Sequence, residues 1–354
     1  MPKKIIVVGA GIVGASLAYH LAKAGASVTV VDALPKPGGV ATPNTWGWIN
    51  ASYFNPEPYA KLRMRSMEMW QALSSVVDLK VNWCGSLLWD VPADELRAFE
   101  KQHSAWGYNV RLLNRAETSR IEPALIEPPE MVAFAPDEGV IEPDAAVRGF
   151  MNAAVSLGAV VLNSEQVRGL EMRGGRVVGV KTDQGIMEAD EVVIAAGVGS
   201  LEILKSIGIT FPLKHSAALV VYSEPTSQLL NTMIIAPGIE LRQDARARIV
   251  IATDLAPGQS HDEQAHSEIQ KTRSALRGAE NLQLERFAIG YRPMPEDGFP
   301  LVGRMPSIGG LYVAVTHSGI TLAPAIGAFG ADEVLDGHRH ELLKPYQPDR
   351  LSLS

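Results

Sequence analysis

Residues 3–32 read KKIIVVGAGIVGASLAYHLAKAGASVTVVD. An apolar run, Ile5 to Val8, meets Gly9, Gly11 and Gly14; an alanine-rich segment follows to Gly25, and a second apolar run, Val28 to Val31, stops at Asp32. The order predicts a strand, a helix and a parallel strand. The three glycines do different things. Gly9 turns the chain out of the strand, Gly11 lets the main chain approach a pyrophosphate, and Gly14 brings helix and strand together. Ala10, Ile12 and Val13 complete the turn. A diphosphate then rests on the helix N-terminus, where unpaired N–H groups and the positive dipole end attract an anion. Asp32, followed by Ala33, stands where a carboxylate accepts hydrogen bonds from ribose hydroxyls and repels a 2′-phosphate, which argues against NADP. The alternative is a tight βα unit whose glycines serve packing alone.

The chain has 354 residues, too many for one ordinary core, so two domains are expected. A formal charge of −7, with no basic run beyond pairs such as Lys3–Lys4, excludes nucleic acid as a partner. Cys84 is the only cysteine, which leaves no internal disulfide and no CxxC pair. Nothing points to an oxidising compartment, and a cytoplasmic location is expected. HDEQAH at 261–266 is not HExxH, because Asp262 precedes Glu263, and no metal site is expected. No run of about 18 apolar residues reads as a membrane span.

After Asp32, residues 34–56 (LPKPGGVATPNTWGWINASYFNP) form a loop too close to the nucleotide motif to be a casual linker. Gly38 and Gly39 suit another close approach of backbone to cofactor, with Ala41, Thr42 and Gly47 alongside. Trp46, Trp48, Asn44 and Asn50 are candidates for the cofactor or substrate wall, or are plain core. Pro58 to Val77 has helical spacing, with Arg63 and Arg65 between its apolar positions. Residues 81–139 then change character. VNWCGSLLWDV reads as a strand, ADELRAFEKQHSAWG as an amphipathic helix with His103 on its solvated side, and MVAFAPDEGVIEP as a strand pair with a turn.

Asp144 to Leu157 reads as a helix closed by Gly158, followed by two strands joined at Arg173-Gly174-Gly175-Arg176. Val167 is a candidate to cover an adenine where a strand leaves the helix, as well as being ordinary core. ADEVVIAAG is a buried strand running into Ala195, Ala196 and Gly197, small residues that permit a second approach to the diphosphate. Residues 211–285 read as strands and a polar helix, with His215 and Tyr222 as candidates for the substrate cavity. In the last portion, Leu311 to Val315 is a buried strand that ends in Thr316-His317-Ser318-Gly319, and a helix begins near Ile320. This repeats the opening pattern, a glycine turn that sets a helix N-terminus beside something anionic, such as N1 of a reduced flavin; the alternative is a strand and helix that merely close the sheet.

With both ends in view, the chain resembles the D-amino-acid oxidase-like superfamily of FAD-dependent oxidoreductases, and is most similar to glycine oxidase, sarcosine oxidase and the small D-amino-acid dehydrogenases. GAGIVG with Asp32, EADEVVIAAG, YRPMPEDGFPLVG and LYVAVTHSGITLAPAIG carry the resemblance over nearly the whole chain. It implies an α/β architecture: a Rossmann-type FAD-binding domain (1–80, 140–210 and 286–354) and a discontinuous α+β substrate domain with an antiparallel sheet (81–139 and 211–285). It also implies that Arg292 pairs with a substrate carboxylate, the alternative being a structural pair with Asp297 or Glu296. Gly303, His317, Ser318, Gly319, Ile320 and Thr321 align with the flavin-facing turn. Some relatives attach flavin through a later cysteine or an early histidine. This chain has no Cys after 84 and no His between 20 and 103, so FAD is expected to be noncovalent.

The activity implied is oxidation of a small amino acid or N-alkyl amino acid, by hydride transfer to flavin N5, to an imine that water hydrolyses. Oxygen, a quinone or a partner protein is the electron acceptor, and a homo- or hetero-oligomer fits the family. Two rivals are a 2-hydroxy-acid dehydrogenase using His215 or His317 as base, and a flavin-bearing subunit of a larger complex.

Overall fold

The computed structural model describes residues 1–52, 54–211, 213–214 and 216–351. Strands Lys4–Val8, Ser27–Val31, Val160–Leu162, Glu191–Ile194, Leu301–Arg304 and Leu311–Val315 form one six-stranded sheet. Lys4–Val8 lies between Ser27–Val31 and Glu191–Ile194, and Leu311–Val315 pairs with Glu191–Ile194; all three pairings are parallel. Leu301–Arg304 closes one edge in the antiparallel sense. A strand buried on both faces needs an unbroken apolar run, which is what Ile5 to Val8 supplies.

The period-two alternation of that strand sorts its side chains between two cores. Ile5 and Val7 pack with the helices Ile12–Lys23, Pro143–Ser156 and Gly319–Asp336. Ile6 and Val8 face a small antiparallel sheet, Val167–Arg173, Arg176–Thr182 and Gly185–Glu188. Helices Ile12–Lys23 and Gly319–Asp336 approach closely because Gly327 lacks a side chain: a Cβ there would overlap Ser16.

An eight-stranded sheet stands beside this unit, with order Leu284–Tyr291, Ala217–Pro225, Arg248–Asp254, Ile239–Gln243, Met233–Ala236, Ser86–Leu88, Val132–Ala135 and Arg111–Leu113. It is antiparallel except where Met233–Ala236 meets Ser86–Leu88. One face, with Leu219, Val221, Ile249 and Ile251, is covered by helix His261–Ala275. The other face carries Ala218, Val220, Glu240 and Ala252 on the wall of a large cavity. The edge strand Leu284–Tyr291 crosses residue 286, the expected start of the last cofactor-binding segment.

Two expectations need correction. Val132–Ala135 and Gly139–Ile141 do not pair with each other. The first joins the eight-stranded sheet, and the second pairs with Trp48–Ile49 and Val81–Asn82, linking the nucleotide loop to the next segment. His103 is not solvated: it is 1% exposed and packs against Phe99, Trp106 and Tyr108. Phe99 and His103 are four apart and so share a helix face, and burial lowers the imidazole pKa. Among the described residues, no helix is long and apolar enough to cross a membrane, and no cluster of His, Cys, Asp and Glu is arranged to hold a metal ion.

Candidate functional site

The first turn of the chain builds one end of the site. Gly9 has φ +103°, and a Cβ on it would lie 2.6 Å from the carbonyl oxygen of Ala195; a Cβ on Gly14 would overlap the carbonyl of Gly9. These two positions must be glycine for the strand, helix and neighbouring strand to meet. Gly11 is the N-cap of helix Ile12–Lys23 and provides no side-chain cap, so the helix N-terminus opens onto the cavity through Gly11, Ile12 and Val13. The Ile12 N–H donates to Thr42 Oγ1 at 3.2 Å. Asp32 is buried and accepts from the Ala10 N–H at 2.6 Å and the Leu34 N–H at 2.8 Å, which fixes its carboxylate at the cavity wall with lone pairs to spare.

Gly39, Ala41, Trp46, Trp48, Val167, Ala195, Ala196 and Gly197 also line the cavity, as do Ala33, Asn44 and Asn50. The two indoles meet edge to face, 5.4 Å between centroids. Trp48 Nε1 donates to Glu138 Oε2 at 2.8 Å, and Trp46 Nε1 to the Val250 carbonyl at 3.3 Å.

A second helix N-terminus faces the same space. Helix Gly319–Asp336 has Ser318 as N-cap with no side-chain cap, and His317, Ser318, Gly319, Ile320 and Thr321 line the cavity. Arg63, 7% exposed, reaches this turn from helix Glu57–Ser74: Nη1 donates to Ser318 Oγ at 2.7 Å and Nε to the Asn50 carbonyl at 2.9 Å. Burial, then Arg292 and Arg63, hold the His317 imidazole down at about 4, against the pull of Asp254, so it is neutral at physiological pH. Arg292 lines the cavity from the end of strand Leu284–Tyr291. It pairs with Asp254 at 2.7 Å, neither with Glu296 nor with Asp297, which pairs with Arg350.

Several candidates lie elsewhere. Tyr222 is on the same sheet face as Ala218 and Val220 but two residues further along; it is buried in the core between Arg248 and Arg286, whose guanidinium carbons stand 4.7 and 3.7 Å from its ring centre. Ala10, Gly14, Gly47 and Gly303 support the wall from behind. A Cβ on Gly47 would lie 2.6 Å from the Ile141 carbonyl, and one on Gly303 would overlap the Gln347 side chain. His215 lies outside the described residues.

Three cavity residues are not singled out by the sequence. Arg63 shares a helix face with Tyr59, Ser66 and Trp70, all buried, and that spacing is the signal that marks it. Phe299 packs edge to face on Tyr59. Glu240 faces the cavity from strand Ile239–Gln243, and its carboxyl is pushed up to about 7 by burial first, then by Asp90 and Asp254, with Arg292 opposing.

The cavity, about 1180 Å³, thus has at its wall two helix N-termini whose N-cap residues make no side-chain cap, the first of them with its Ile12 N–H bonded to Thr42. Three polar atoms on lining residues are buried without a hydrogen-bond partner: Glu165 Oε1, Arg292 Nε and Thr316 Oγ1. A ligand in the cavity could supply partners for these three, whereas the other buried atoms of this kind among the described residues lie away from it. An elongated molecule with an anionic middle fits this lining: ribose hydroxyls at Asp32, phosphates at Gly11 to Val13, and an electron-rich ring at the second N-terminus.

Residues 4–333 match the family described as FAD dependent oxidoreductase, DAO. The glycine oxidase of Bacillus licheniformis is 29% identical over 347 residues, 93% of this chain and 92% of that one. The solved L-proline dehydrogenase from P. horikoshii is similar with a TM-score of 0.88 at 25% identity, over 99% of this chain and 98% of that one. The glycine oxidase structure from Bacillus cereus ATCC 14579 shares the fold with a TM-score of 0.86, at 23% identity over 96% and 97% of the two chains. With a cavity suited to a dinucleotide and a match over nearly its whole length, the chain belongs to the DAO family of FAD-dependent oxidoreductases.

Proposed function

We propose that this enzyme oxidises a small amino acid or N-alkyl amino acid whose carboxylate is held by Arg292. The observation that carries the reading is the state of that arginine: it lines the cavity, Nη2 is engaged by Asp254, and Nε is buried with no partner. A guanidinium stays charged at every relevant pH and offers a forked donor set that suits a carboxylate. Relatives named glycine oxidase and L-proline dehydrogenase support the substrate class.

Bound FAD supplies a two-electron acceptor. Gly11, Ile12, Val13, Asp32 and Val167 would hold its nucleotide half, and Ser318 to Thr321 its ring, without a covalent link. Trp46 and Trp48 would wall the ring and substrate from water, as hydrogen-bonded indoles fixed at one end. Arg63 organises the Ser318 turn. Chemistry of this kind depends on orientation more than on a strong base. Neutral His317, with its low basicity, is a poor base for the hydroxyl of a 2-hydroxy acid. The same reading assigns 1–80, 140–210 and 286–354 to FAD and 81–139 with 211–285 to the substrate.

Anaerobic titration of the yellow protein with glycine, sarcosine, proline, D- and L-amino acids, and the matching 2-hydroxy acids tests this reading. Bleaching by amines alone is expected; bleaching by hydroxy acids alone, or by neither, overturns it. Oxygen uptake against dye reduction then separates oxidase from dehydrogenase.

A further inference from the structure

We propose that Glu240 receives the substrate's amino nitrogen and takes its proton, turning a bound ammonium into the amine that can be oxidised. This rests on the amino-acid reading of the site. Glu240 pairs across the sheet with Ala252, Ala252 with Val220, and Ala218 with Gly290. All five line the cavity; the two alanines keep the sheet surface low beside the carboxylate, while Gly290 is covered by the Asn44 main chain. Only burial and neighbouring charges, with no hydrogen bond from a described residue, act on that carboxylate.

Arg292 reaches from the edge strand to Asp254 Oδ1 at 2.7 Å, and Asp254 ends the strand adjacent to that of Glu240. Arg292 and Asp254 both act electrostatically on the Glu240 carboxylate, and Arg292, Glu240 and Ala252 all line the same cavity. An α-amino acid bound between them would turn its carboxylate toward Arg292 and its nitrogen toward Glu240. The charged groups around Glu240 are Asp90 beyond strand Ser86–Leu88, Asp254, Arg292, Arg242 on its own strand, held by Glu142 at 3.1 Å, and neutral His317 across the cavity.

In the step, one N–H bond of the ammonium breaks as an O–H bond forms on Glu240. The nitrogen keeps the electron pair, and the proton passes to water after product leaves. No oxidant is consumed. A carboxyl near 7 is matched to this transfer at neutral pH, and it is charged, and so competent, only above that value.

The experiment compares kcat/KM against pH for wild type, Glu240→Gln and Glu240→Asp, each purified with FAD, on the best amine substrate. Wild type and Glu240→Asp are expected to rise as pH passes about 7 and then level until the amine's own pKa. Glu240→Gln can use only free amine, so its kcat/KM keeps rising about tenfold per pH unit, lying about 10²–10⁴-fold below wild type at neutral pH. Binding of acetate, read by the shift of the flavin spectrum, supplies a second readout. It should tighten as pH falls through about 7 in wild type, when Glu240 loses its charge, and be flat in Glu240→Gln. A Glu240→Gln profile that levels like wild type, or unchanged acetate behaviour, overturns the role of Glu240. So does a loss confined to substrates with a second cationic group. If no amine bleaches wild type at all, the amino-acid reading fails instead.

Discussion

Arg63 Nη1 donates to Ser318 Oγ at 2.7 Å across 255 residues of sequence, tying the helix Glu57–Ser74 to the N-cap of Gly319–Asp336. The same guanidinium holds the Asn50 carbonyl, so one side chain fixes both the nucleotide loop and the C-terminal turn. Replacing it with methionine keeps the bulk and removes the charged donors. A charged hydrogen bond is worth about 1.5–3 kcal/mol, so Arg63→Met should release FAD at least tenfold more readily. Recovery of flavin fluorescence on dilution measures this; unchanged retention refutes it.

Arg292→Ala removes the proposed carboxylate partner. A loss of roughly 2–4 kcal/mol in kcat/KM is expected for amino acids, with a much smaller loss for the corresponding amines that lack a carboxylate. Equal losses on both substrate sets would assign Arg292 to structure alone.

Glu138 is fully buried and accepts from Trp48 Nε1, from the Ser52 N–H and hydroxyl, from Ser86 Oγ at 2.5 Å and from the Tyr108 hydroxyl. Five donors converge on one carboxylate. An amide in its place turns an acceptor into a donor facing donors, so Glu138→Gln should cost about 1.5–3 kcal/mol for each charged hydrogen bond lost. The midpoint of urea unfolding should fall accordingly, with KM rising as Trp48 loses its anchor. An unaltered midpoint would contradict the account.

The glycines separate steric need from backbone freedom. Gly14→Ala forces a methyl into the Gly9 carbonyl and should yield no soluble, FAD-loaded protein. At Gly25 (φ +86°) nothing stands within 4 Å, so Gly25→Ala should cost only roughly 1–2 kcal/mol and leave the cofactor bound. Similar expression and flavin content for both variants would refute the distinction.

Acid should unfold the protein through His20 and His317, whose imidazoles are each held down to about 4 chiefly by burial. Their folded pKa lies below the ordinary 6.5, so the native state takes up fewer protons. Their contribution is whole above pH 6.5 and is lost as pH falls toward 4. Unfolding midpoints in urea between pH 7.5 and 4 follow the loss, and His20→Gln should flatten its share of the slope. A slope unchanged by that substitution would exclude His20.

Lys3 to Asp32 discloses its own fold because an apolar run, spaced glycines and a terminal acid each constrain the backbone locally. The C-terminal turn at Thr316 to Gly319 is legible for the same reason. Pairing between distant segments is not. Val132–Ala135 and Gly139–Ile141 look like a hairpin, yet a strand's partner depends on which edge is free elsewhere, and the two join different sheets. Side-chain destinations fail similarly. Tyr222 has the correct parity for the cavity face, but the strand carries it past the opening. Arg63 stands with Arg65 between the apolar positions of its helix; its spacing from Tyr59 and Trp70 puts it on the buried face, and the turn 255 residues later shows what it holds there. Glu240 carries no motif; the sheet alone brings it toward Arg292.

The arrangement of the parallel sheet also sets a timetable. Leu311–Val315 lies beside Glu191–Ile194, which lies beside Lys4–Val8, and the helix that follows packs on the first helix of the chain. During translation, the nucleotide turn therefore leaves the ribosome some three hundred residues ahead of the segment that completes its chamber. Until Leu311–Val315 has been made, the edge of Glu191–Ile194 that it pairs with has no partner strand, and the sheet stays open on that side.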